Sequence, residues 1–292
     1  MIRSAFLEFD SVRCEHCGRC VDDCLTQALV KRADGSPTSA PDFEARCFRC
    51  QHCFSVCPVG AIRLFGNDPL DSEPLAPTPS PDLELALFRK RRSVRSYIRE
   101  DVDPEIVDQL HYATSFAPTG CNDRRLYFSY SDSLASTDDF REAARLTALR
   151  LVKNAGSLPE RLAFLSGLRE KLEMGKDVFF CGAPCFVAVA VAPDARDANV
   201  DPFIAAAHFE LLANCFGLGT CWCGMATELF LYDDNLRSHL NLPKDRELKT
   251  IMTFGWPAVQ YVRSAQPSAY PRTRVVPFGI VETAPFDLIG AN

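Results

Sequence analysis

The sequence predicts an α+β fold, a central sheet flanked by helices, preceded by a small unit built around cysteines. Three observations predict it. Eight of the fourteen cysteines fall between Cys14 and Cys57, in two runs of identical spacing. Five prolines (Pro69, Pro74, Pro77, Pro79 and Pro81) crowd the stretch that follows. Beyond them, apolar residues alternate between helical and strand periods. The expected division is residues 1–66, a proline-rich linker at 67–82 and a larger domain at 83–292.

Composition narrows the function classes. A length of 292 residues suits one large or two ordinary domains. With 47% hydrophobic and 24% charged residues, the chain has the make-up of a soluble globular protein. The net charge of −6 gives no reason to expect nucleic acid as a partner, and residues 1–66 balance eight basic against eight acidic groups. The longest nearly apolar run, Phe179 to Ala192, has 14 residues and contains Gly182 and Pro184. It is too short to span a membrane and reads as a buried strand. The opening MIRSAFLEFD shows no secretion signal. Clustered cysteines without such a signal favour a metal site in a reducing cytoplasm over a disulfide framework.

The first unit is a repeat. Cys14, Cys17, Cys20 and Cys24 recur 33 residues later as Cys47, Cys50, Cys53 and Cys57, the last followed by Pro58. Three cysteines spaced by two residues can wrap one cuboidal cluster, while the fourth lies too far along and ligates the other one. The expected ligand sets of two [4Fe–4S] clusters are therefore Cys14, Cys17, Cys20 and Cys57 for the first, and Cys24, Cys47, Cys50 and Cys53 for the second. Zinc sites pair shorter knuckles and fit this pattern less well. The segment resembles a bacterial-type two-cluster ferredoxin, departing from it at Leu25, where that family carries proline. His16 and His52, inside the loops, read as solvated surface residues.

The linker prolines favour an extended, semi-rigid spacer. After it, Asp82 is a candidate cap for a helix through Lys90, with Leu83, Leu87 and Phe88 along one side. Asp103-Pro104 opens another, with Ile106, Val107 and Leu110 inward. Residues 125–131 read as a strand, 138–153 and 159–174 as amphipathic helices, and 185–192 as a central strand. Asp201-Pro202 starts a helix ending at Gly217, apolar around much of its circumference and so buried centrally or at a dimer interface. Residues 250–256 complete the pattern as a strand.

Four segments carry chemistry. Arg91-Arg92-Ser93-Val94-Arg95 offers forked guanidinium donors and a hydroxyl to phosphate oxygens, although such a run alone is as readily a solvated basic patch. Ala117-Pro118-Thr119-Gly120-Cys121-Asn122 is a polar turn after a helix. Gly217 to Gly224 (GLGTCWCG) is a glycine-rich exit where backbone N–H groups can approach a planar ring. Arg272 and Arg274 add a late basic pair. There is no GxGxxG after a strand, no GxxxxGK and no HExxH. The Cys181/Cys185 and Cys221/Cys223 pairs read as buried structural thiols.

In order and spacing, these segments make residues 83–292 resemble the FMN-dependent nitroreductase family. The resemblance implies a dimeric α+β FMN-binding domain with both flavin sites at the subunit interface. Arg91, Ser93 and Arg95, with Arg92 adjacent, would hold the FMN phosphate and ribityl chain, and Arg272 and Arg274 would complete that pocket. Pro118, Thr119, Gly120 and Asn122 would reach the flavin of the other subunit. Trp222, Cys223 and Gly224 would line the ring system, a backbone N–H of Cys223 or Gly224 facing N5, with no dedicated catalytic side chain. Asp123-Arg124-Arg125 replaces the family's usual continuation after Asn122, and residues 132–175 match no motif and suit a variable substrate lid.

The implied function is an FMN-dependent oxidoreductase. It would take electrons through two [4Fe–4S] clusters from a ferredoxin-type donor, or as hydride from NAD(P)H. Its acceptor would be a small organic molecule such as a nitroaromatic, quinone or activated alkene. The alternative is an electron-transfer flavoprotein serving a protein partner. In either case the expected assembly is a cytoplasmic homodimer with no membrane span and no nucleic-acid partner.

Overall fold

The computed structural model describes residues 6–154 and 158–266. The cysteine repeat folds as two small antiparallel pairs: β1 (Leu7–Phe9) with β4 (Ile62–Leu64), and β2 (Leu29–Lys31) with β3 (Pro37–Ser39). Short helices α1 (Arg19–Asp22), α2 (Phe43–Arg46) and α3 (His52–Val56) connect them. Their core is small, with Cys20, Leu29 and Ile62 buried at its centre. A unit of this size ordinarily needs a staple beyond its apolar contacts.

Residues 69–71 form a single 3-10 turn, after which Leu75 is fully exposed. The next helix starts one residue before the expected cap. Ser80 receives the Leu83 N–H at 3.4 Å, and Pro81 opens α4 (Pro81–Lys90) because proline lacks only a donor that the first turn would leave unused. Helix α4 buries none of its residues, and Leu83 and Phe88 remain 67% and 50% exposed. Its apolar side is therefore largely uncovered among the described residues.

The larger part is a four-stranded antiparallel sheet in the order β5 (Leu126–Tyr130), β6 (Cys185–Val191), β8 (Glu247–Gly255), β7 (Gly219–Trp222). All of β6 is buried, as a strand covered on both faces must be. Its alternation divides the core: Phe186 and Ala188 join one cluster, Val187 and Val189 the other. On the second face pack α5 (Pro104–Thr114) and α8 (Asp201–Cys215), with Val107, Leu110, Phe209 and Ala213 inward. On the first lie α6 (Leu134–Asn154), α7 (Arg169–Glu173), α9 (Gly224–Tyr232) and α10 (Asp234–Ser238).

Residues 159–174 do not form the single helix expected. Glu160–Leu168 is 3-10, followed by the one-turn α7. Leu162, Leu165 and Leu168 recur every third residue, the 3-10 period, and the first two are fully buried in the core beside α6, α7 and α9. Strand β7 and helices α9 and α10 were not legible: a four-residue strand with one glycine looks like a loop in sequence.

Candidate functional site

Two constellations stand out, one in each part. In the first, Cys14, Cys17, Cys20 and Cys57 line one pocket, closed by apolar Phe9, Ala61 and Ile62. Cys57 reaches it from the end of α3, and its sulfur accepts the Ala61 N–H at 3.2 Å. Gly18, at φ 79°, turns the loop into α1 so that Cys20 points inward. Cys24 is carried the other way: the thiols of Cys47 and Cys53 each sense those of Cys50 and Cys24. Cys47 accepts the Arg49 N–H at 3.4 Å. Burial pushes the Cys53 thiol up to about 12, and also raises Cys20 and Cys47. Four sulfurs lining one pocket, with N–H donors already aimed at Cys57 and Cys47, fit a metal–sulfur group, which would deprotonate the thiols on binding. His16 and His52 stay outside the pockets, meeting the Asp34 carbonyl and the Asp23 carboxylate.

In the second constellation, the segment after α4 runs beside β7. Ser93 and Thr220 form a parallel bridge, and the Val94 N–H donates to the Thr220 carbonyl at 2.8 Å. Gly219 permits the approach, because a Cβ there would stand 2.5 Å from a Val94 methyl. Arg91 meets Glu210 of α8 at 3.4 Å; the same carboxylate accepts the Thr220 hydroxyl at 3.0 Å, and Asn214 donates to the Glu210 carbonyl. Arg95, two residues beyond Ser93, is exposed. Arg92 points elsewhere, into a groove with Lys90, Asn214 and Tyr261.

Strand β7 ends at the mouth of α9. The Cys223 N–H is spent on the Ile251 carbonyl at 2.9 Å, so this donor, one of two expected to face a flavin, belongs to the sheet. Gly224 is the first residue of α9, and a Cβ built on it would meet nothing within 4 Å. Among the described residues, its side of the helix is open, at a terminus that favours negative charge. The Trp222 ring lies against Phe203 of α8, centroids 6.2 Å apart and planes 19° from parallel.

Residues 88–256 match the model of the nitroreductase family. The chain belongs to that family. The same comparison matches residues 9–64 to a 4Fe-4S dicluster domain. No curated protein sequence matches the chain. Among solved structures, the nitroreductase domain is similar to a nitroreductase with bound FMN from Bacteroides fragilis NCTC 9343. The match has 19% identity and a TM-score of 0.52, and covers 65% of this chain and 98% of that one. It is also similar to a nitroreductase with bound FMN from Desulfitobacterium hafniense DCB-2, at 19% identity and TM-score 0.53, over 66% and 97% of the two chains. These likenesses show the fold of the larger domain, an α+β architecture. No described helix is long and apolar enough to cross a membrane.

The turn expected at the partner's flavin is engaged within its own chain. The Gly120 N–H donates to both Asp201 carboxylate oxygens at 3.1 and 3.2 Å, and a Cβ at Gly120 would lie 2.0 Å from Asp197. The Thr119 hydroxyl accepts the Arg124 N–H, and Asn122 donates to the carbonyls of Phe48 and Arg49 in the first unit. Pro118 is exposed. Arg272 and Arg274 lie outside the described residues. Cys181, at φ 57°, packs with Val94, Tyr97 and Ala183, the Cys223 thiol donates to the Cys221 carbonyl at 3.4 Å, and Cys185 sits apart in the core.

Proposed function

We propose that this nitroreductase-family protein is an FMN-dependent reductase fed by one-electron carriers through two [4Fe–4S] clusters, and that it reduces a small organic acceptor. The observation that carries the reading is the Gly224 end of α9. An unobstructed helix N-terminus follows the strand that Ser93 pairs with, in a chain whose first unit converges four cysteines on one pocket. Flavin, when bound, accepts electrons singly and delivers them as a hydride pair, which the clusters cannot do.

The protein's own groups fit that task. Arg91 and Arg95 supply cationic donors, and Glu210 holds Arg91 in place from a largely buried position. Arg272 and Arg274 are proposed to join them. The Gly224 N–H and the positive end of α9 favour the extra negative charge of a reduced ring system. Trp222, backed by Phe203, forms a wall for a planar ligand. The ligand sets proposed for the clusters are Cys14, Cys17, Cys20 and Cys57, supported by the pocket they line, and Cys24, Cys47, Cys50 and Cys53, supported by the repeated spacing. A homodimer accords with the uncovered Leu83, Leu85 and Phe88 on α4 and with exposed Tyr112 and Phe116 on and after α5. A cytoplasmic location accords with the reduced cysteines that the clusters require.

Anaerobic protein tests the reading. Iron near eight per chain and FMN released on denaturation are expected. In stopped flow, reduced ferredoxin should bleach the flavin, and a nitroaromatic or quinone should restore its colour. NAD(P)H in place of ferredoxin asks whether hydride can enter directly. Flavin that is reduced but not reoxidised by any small acceptor would favour a carrier for a protein partner.

A further inference from the structure

We infer that Asn122 is the docking residue that holds the Cys47–Cys53 loop on the nitroreductase domain, making the second cysteine set the one that passes electrons to the flavin; this rests on the function proposed above.

The contact is specific. Asn122 Nδ2 donates to the Phe48 carbonyl at 3.1 Å and to the Arg49 carbonyl at 3.0 Å. Both carbonyls lie between Cys47 and Cys50. The direction of the amide is fixed, since its Oδ1 accepts from Arg124 Nε at 2.8 Å, which leaves only the NH2 end for the loop. The backbone is fixed too: Asn122 sits at φ 55°, a left-handed conformation that asparagine tolerates better than most residues. The first unit presents the loop firmly, with the Arg49 guanidinium held over the rings of Phe6 and Phe65 at 5.7 and 5.1 Å.

From this junction a line of contacts continues within the same chain. Gly120, two residues before Asn122, is bonded to Asp201 at the start of α8. Two residues further on, Phe203 lies against Trp222, which precedes Gly224 by two positions. With both groups bound, the loop between Cys47 and Cys53 would sit nearest the flavin, so that two one-electron passages, fed through the first set by the external one-electron donor and joined by one proton from solvent, would account for two-electron reduction of the flavin.

Two variants test the role: Asn122→Gly, which keeps the left-handed backbone but deletes the amide, and Asn122→Asp, which turns donors into acceptors. In hydrogen exchange on the full chain, both should speed exchange over residues 47–53 by about tenfold, the factor that two neutral hydrogen bonds supply. In stopped flow with reduced ferredoxin, cluster bleaching should keep its wild-type rate while flavin bleaching lags by about tenfold. Photoreduction by free deazaflavin, which reaches the flavin directly, should be unchanged. Unaltered exchange in both variants overturns the docking role, whether or not cofactors are loaded. Faster exchange with flavin bleaching still in step overturns the electron-transfer role. Iron and flavin contents of the unsubstituted protein judge the underlying function separately.

Discussion

The backbone N–H of Val94 donates to the carbonyl of Thr220 at 2.8 Å, laying the arginine-rich segment against the short strand that leads to Gly224. The bond brings together segments more than a hundred residues apart, and it depends on Gly219 having no side chain. Gly219→Ala should destabilise the domain by about 1–3 kcal/mol, because the new methyl must displace the Val94 side chain. Thermal unfolding checks the loss of stability, and flavin per purified chain should fall with it.

Arg91 and Glu210 form a second tie across the same site. Glu210 is largely buried, and its carboxylate also receives the Thr220 hydroxyl. Arg91→Ala should cost about 1–3 kcal/mol in urea unfolding, since the buried acceptor loses its cationic donor. It should also weaken FMN binding in a titration of the apoprotein. Arg91→Lys should recover part of the stability but less of the affinity, because a single ammonium cannot reproduce the forked donors.

The crossing of the fourth cysteines makes a directional prediction. Cys57→Ser should damage the cluster held mainly by the first run, and Cys24→Ser that held mainly by the second. Each should lower iron by up to about half, with different signals lost in low-temperature EPR. Damage confined to the substituted cysteine's own run would contradict the pairing that the pocket brings together.

His111 gives a pH dependence. Burial lowers its pKa from the usual 6.5, with Asp108 opposing, and its Nε2 has no hydrogen-bond partner among the described residues. Its ring packs on Tyr130 with centroids 4.3 Å apart. The unfolded chain therefore takes up the proton first as the pH falls. Stability is full above about 6.5 and declines between there and the lower folded-state value. His111→Phe should flatten that decline. Urea midpoints at about pH 7.5 and about pH 5.5 measure it.

Much of the architecture was readable because local rules and tertiary demands agree. Asp103 caps α5 through the Glu105 N–H, as a cap followed by proline requires. The apolar run after Pro184 became β6, buried on both faces. The agreement fails where a residue's role depends on a distant partner. Ser80 caps α4 in place of Asp82, and the leucines at 162, 165 and 168 follow the wall they pack on. Strand β7 exists because β8 offers it a ladder and Val94 a neighbour.

The site divides in the same way. Cysteine spacing, the RRSVR run and the glycine-rich exit are local patterns, and the sequence alone determined that this protein couples an iron–sulfur unit to a nitroreductase domain. Only the tertiary structure decided how the two positions are used: the Cys223 N–H is consumed by Ile251, while at Gly224 a side chain would meet nothing within 4 Å among the described residues. It alone turned Asn122 toward the Phe48 and Arg49 carbonyls. Hydrogen-bonding capacity is written into each residue, but whether it is already used depends on which chain segments folding brings within about 3 Å.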